Sequence, residues 1–72
     1  MIYEIIKEIK NECGNNQMRD VFVSEEDIEN PDEWIRRTEP FADSIEKELL
    51  PDGMKYLVDA QGLFTEYTLT EA

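Results

Sequence analysis

The sequence predicts a small α+β domain: an antiparallel sheet of three or four strands with a C-terminal hairpin, packed against one N-terminal helix plus a short middle helix. Three observations carry this expectation. Ile2, Ile5, Ile6 and Ile9 recur at spacings of three and four, a helical stripe. The stretches MKYLVD and LFTEYTLT, separated by AQG, alternate in the manner of paired strands. Between these ends, Asn30 and Pro31 carry the signature of a helix start. At 72 residues the chain makes one domain, residues 1–72, and a domain of this size buries only about 60% of the surface of its unfolded chain.

Taken in order, IYEIIKEIKNEC is expected to be an amphipathic helix ending near Glu12 or Cys13, because Gly14, Asn15 and Asn16 tolerate a left-handed stop. A strand is expected from about Met18 to Ser24, where Val21 and Val23 alternate with Asp20 and Phe22. Ser24 and Asp27 have the spacing of a capping pair, which allows a short helical turn over 25–29. The middle helix begins at Pro31 with Asp32 and Glu33 in its first turn, turns Trp34 and Ile35 inward, and places Arg36 and Arg37 before its stop ahead of Pro40. FADSIEKELL fits a helical stripe and one face of a strand equally, although the tight-turn signal PDG at 51–53 favours the strand. The element order is then αβαβββ, or αβααββ if that stretch is helical. In the final hairpin Ala60, Gln61 and Gly62 connect residues 54–59 to 63–70.

Composition narrows function more by exclusion. The chain has no histidine, which removes the usual general base near neutral pH and the commonest zinc ligand. No catalytic residue and no cofactor is therefore assigned. EEDIENPDE lacks the spacing and the turn glycine of a calcium loop, so no metal is assigned either. The single cysteine, Cys13, has Glu12 beside it, which works against a reactive thiolate, and a half-buried small side chain is expected there. Seven cations against eighteen anions make no basic stripe for direct contact with nucleic acid, and an acidic surface is repelled by anionic lipid. With no apolar run of membrane-spanning length, a cytoplasmic location is expected.

What remains is the charge, −11 at neutral pH, beyond the magnitude of about 2 to 8 that serves solubility in a small domain. SEEDIENPDEW holds six carboxylates in eleven positions without a base. Asp32 and Glu33 serve the helix start, whereas Glu25, Glu26, Asp27 and Glu29 have no local role. Together with Asp20 and Trp34 they form the expected contact surface for a basic protein partner, itself a nucleic-acid-binding protein. Repulsion among the carboxylates is also expected to raise their pKa values on folding, so that stability rises from pH 7 towards about 5.

In length, acidity and lack of catalytic residues the whole chain resembles the phage-encoded inhibitors of bacterial defence, anti-CRISPR proteins among them, several of which mimic DNA. The likeness is one of character, without a shared motif. It implies a non-enzymatic inhibitor that occupies a basic nucleic-acid-binding groove of its target. The alternative is a protein–protein interaction module whose acidic surface is merely solvated and which docks through Trp34, Phe41 or an edge strand.

Overall fold

Residues Ile2–Cys13 form a strand, β1, in a computed structural model that describes the backbone of residues 1–13 and 16–72 and the side chains outside 11–19. The expected N-terminal helix is thereby overturned. Four isoleucines and a tyrosine within eight residues favour a pleated, half-buried surface over a helix. Their three-and-four spacing arises because β1 has apolar side chains on both faces: Tyr3 and Ile5 point into the core, while Ile2 and Ile6 lie on the opposite face. The helix end expected near Glu12 or Cys13 is likewise overturned, since the strand runs to Cys13, while the stop residues Gly14 and Asn15 and the half-buried Cys13 side chain fall outside the described residues.

The second strand, β2 (Asn16–Asp27), pairs antiparallel with β1 from Ile2↔Asp27 to Cys13↔Asn16. It continues past Ser24, so the helical turn allowed over 25–29 does not form. Strand pairing satisfies the backbone of Glu26, whereas one turn ahead of Pro31 would leave most amides without partners.

The middle helix, α1 (Pro31–Thr38), matches its sequence signature. The Asn30 side chain accepts a hydrogen bond from the Glu33 N–H at 3.2 Å, Pro31 opens the helix, and Arg36 and Arg37 occupy its last turn. Eight residues cannot hold a helix alone in water. Ile35, 1% exposed, anchors it to the sheet, and the sheet also grips both its ends. Tyr56 donates its hydroxyl hydrogen bond to Asp32 at 2.6 Å, and the Tyr67 hydroxyl donates to Glu39 just beyond the last turn. Burial first, then the neighbouring carboxylate, raises the pKa of both phenols well above the usual tyrosine value.

Three strands complete the chain as a meander: β3 (Ser44–Leu50), β4 (Gly53–Ala60) and β5 (Leu63–Glu71). The ambiguous 44–50 stretch is extended, as the following turn suggested. The β4–β5 connection is a two-residue turn of Gln61 (φ 53°) and Gly62 (φ 83°), with Ala60 paired to Leu63. Asp43 and Asp59 hold it by accepting from the N–H groups of Gln61 and Gly62 at 2.7 and 3.1 Å. This hairpin packs on α1, not on a helix at the start of the chain.

All pairings are antiparallel, in the order β2-β1-β5-β4-β3. The α+β expectation of three or four strands and two helices is thus corrected to a sheet-dominated domain, five strands with one short helix on one face. The core is Tyr3, Ile5, Ile28, Ile35, Tyr56, Val58, Tyr67 and Leu69. Among the described residues no helix is long and apolar enough to cross a membrane.

Gly53 fixes how closely β4 approaches β5, because a Cβ there would lie 1.9 Å from the Leu69 carbonyl oxygen. Gly53→Ala forces the two strands apart and is expected to cost about 2–3 kcal/mol. Thermal unfolding should show a melting temperature more than about 10 °C lower; an unchanged value would mean that this approach is not needed. Ile35→Ala, which empties the centre of the core, should cost about 3–4 kcal/mol by denaturant titration.

A candidate docking edge on the outer strand

Strand pairing decides where the acidic residues face. Side chains alternate along β2, so Glu25 and Asp27 share the uncovered face with Val21 and Val23, while Asp20 and Glu26 share the helix-covered side with Phe22. All four acids are exposed. Because β2 is the outermost strand, both sets meet along one edge. Glu29 is exposed in the link to α1, next to the end of the strand. Thus Glu25, Glu26, Asp27 and Glu29 lie together, and Asp20 stands apart, about 17 Å back along the strand at the usual rise per residue.

Trp34 is placed differently. It is half-buried, with its ring edge-on to Tyr67 at 5.8 Å and 86°. Its remaining surface lines a shallow depression with Asp27, Ile28, Glu29 and Arg37. The tryptophan therefore serves the core first and borders the acidic end of β2 second.

Many other acids have structural partners. Asp32 accepts from Tyr56 and also pairs with Lys47 at 2.9 Å, a tertiary role added to its expected place in the first helical turn. Glu39 accepts from Tyr67, and Asp43 and Asp59 hold the β4–β5 turn. On the uncovered face Glu66 bridges Lys10 at 3.3 Å and Lys55 at 3.0 Å, and Lys55 reaches Glu48 at 4.0 Å. Lys7 lies 5.6 Å from the centre of the Tyr67 ring. Among the described residues Asp20, Glu25, Glu26 and Glu29 take part in no ion pair, and Asp27 pairs with the amino group of Met1 at 2.8 Å. No group of three or more acidic or cysteine side chains is placed to hold a metal among the described residues.

Sequence reasoning missed the exposed apolar run at the middle of this edge. Val21, Phe22 and Val23 are 56, 55 and 66% exposed. Their signal was available: three consecutive apolar residues in a strand leave it no polar face. The chain matches no protein-family model, no curated protein and no solved structure.

Among the described residues two carboxylates have shifted pKa values, and both shift downward, opposite in sign to the effect expected from crowding. The Tyr56 hydroxyl and then Lys47 lower Asp32, and Lys55 lowers Glu66 against the opposing effect of burial. A depressed folded-state pKa contributes stability that is present above the unfolded value and lost as pH falls through the folded one. Stability from these two groups should therefore hold down to about pH 5 and drain away below about pH 4. Melting temperatures from pH 7 to 2 check this: Asp32→Asn with Glu66→Gln should flatten the acid limb, and an unchanged limb would assign it to other groups.

Proposed function

We propose that this protein is a non-enzymatic inhibitor that uses an acidic edge to occupy a basic nucleic-acid-binding groove of a protein target, in the manner of anti-CRISPR-like anti-defence proteins. The observation that supports the reading is the run of acids at the end of β2 that the fold does not use. Asp32, Glu39, Asp43, Asp59 and Glu66 are bonded within the fold and Glu4, Glu46, Asp52 and Glu71 are exposed elsewhere, whereas Glu25, Glu26 and Glu29 face solvent close together, with Asp20 further back on the same border. Successive residues of a strand advance about 3.4 Å, and phosphates of one DNA strand advance about 3.4 Å along the helix axis. Glu25 and Asp27 thus repeat negative charge about 6.8 Å apart on the uncovered face, with Glu26 between them on the other face, so that the edge offers a line of charge of the sign that nucleic-acid phosphates carry. The strand fixes their backbone in advance, so that only side-chain ordering opposes docking there.

A second reading keeps the acids as solvated surface and docks the protein through Phe41, which is 83% exposed beyond the end of α1. Salt separates the two, because a charged contact weakens steeply with ionic strength and an apolar one does not.

The test is affinity capture from a bacterial lysate at low and high salt, with and without added duplex DNA. The captured protein should be released by salt and by DNA. The variant Glu25→Gln, Glu26→Gln, Asp27→Asn, Glu29→Gln, shown by circular dichroism to be folded, should bind that protein at least about tenfold more weakly, with a flatter salt dependence, since exposed pairs each contribute up to about 1 kcal/mol. Full binding by the folded variant would overturn the proposal in favour of the apolar reading.

A further inference from the structure

The two edges of the sheet are unlike. Strand β3 is short, and Glu46, Lys47 and Glu48 interrupt it with charge, a common protection against unwanted pairing. Strand β2 spans twelve residues in unbroken register with β1, with neither proline nor lysine in it, and among the described residues no other strand pairs with its outer side.

The hydrogen bonds reveal which β2 backbone groups face outward. Ile28 donates its N–H to the Met1 carbonyl at 2.9 Å, in continuation of the β1–β2 register, and Ala72 donates to Ile2 on the other side of β1. Bonded pairs alternate along an antiparallel ladder. Asp20, Phe22, Ser24 and Glu26 therefore bond to β1, and Val21, Val23 and Glu25 turn their N–H and C=O groups away from the sheet. These outward groups run beside the exposed Val21–Phe22–Val23 stretch, with Asp20 before it and Glu25, Glu26 and Asp27 after it.

That combination selects its occupant. A second copy is disfavoured, since each chain carries a charge of −11 and pairing would gather two acidic edges. We propose that β2 receives an extended basic segment of a protein partner as a sixth strand, with apolar side chains beside Val21, Phe22 and Val23 and lysine or arginine beside Glu25, Glu26 and Asp27. This strand addition rests on the basic partner proposed above and adds main-chain hydrogen bonding to the charge contact.

The probes are two octapeptides of equal charge, one alternating lysine with valine and the other lysine with proline, which cannot donate at alternate positions. Amide exchange on the intact protein, followed by nuclear magnetic resonance, should show the N–H groups of Val21, Val23 and Glu25 slowed at least about tenfold by the lysine–valine peptide, with those of Phe22 and Ser24 little changed. Val23→Pro removes one outward donor and leaves the β1 ladder intact. In folded protein it should weaken that peptide's binding at least about tenfold; Val23→Lys, which keeps the strand donor but sets a cation in the apolar run, should weaken it as well. Equal binding of both peptides, lost in the four-acid variant but with no amide slowed, would overturn strand addition and leave the acidic contact standing. Binding that survives the four-acid variant would remove the acidic contact instead. Slowing that depends on protein concentration without peptide would make a second copy the occupant and overturn the proposal.

Discussion

The pairing of β1 with β5 is the interaction on which the rest of this structure depends. It joins the N-terminal hairpin to the C-terminal meander from Tyr3↔Glu71 to Lys10↔Phe64. Without it Tyr3 and Ile5 would not meet Tyr67 and Leu69, and α1 would have half a floor. A core of eight side chains has no reserve. The helix in turn closes the core from above, held by Ile35 and by hydroxyl bonds from two tyrosines that belong to different strands, β4 and β5. The helix is too short to persist alone and depends on the sheet beneath it.

The legible parts of the fold were those governed by local chemistry. Asn30 and Pro31 start a helix because cap geometry is decided within four residues. The β4–β5 turn forms at Gln61 and Gly62 because two positive φ angles in succession suit glycine and match the twist of a hairpin. Strand β1 was misread because its identity is decided by neighbours far along the chain. Lying between β2 and β5, it carries isoleucine on both faces, and the two period-two patterns interleave into an apparent period of 3.6. The acidic run was visible as composition, but its assembly along a single border was not, because that follows from β2 being outermost. The roles of Tyr56 and Tyr67 were hidden for the same reason: their partners Asp32 and Glu39 are 24 and 28 residues away.

Charge is sorted by location more than by amount. On the uncovered face Lys10, Lys55, Glu48 and Glu66 alternate in sign, and Lys55 and Glu66 are drawn further towards their charged forms. Such a network is locally close to neutral and projects little field. On the outer border Asp27 pairs with the Met1 amino group, while among the described residues Asp20, Glu25, Glu26 and Glu29 take part in no ion pair. Negative charge therefore stands closest together at the end of β2, where Glu25, Glu26 and Asp27 follow one another.

The adjacency of β1 and β5 bears also on how the chain is made. A ribosome delivers β1 and β2 first, and at about 5–20 residues per second several seconds pass before β5 emerges to complete the sheet. During that interval the nascent hairpin shows Val21, Phe22 and Val23 to other nascent hairpins on the same polysome. Flanking acids keep identical strands from stacking while the chain is unfinished. The charge beside the apolar run of β2 thus has a use during synthesis, to guard sibling chains against one another.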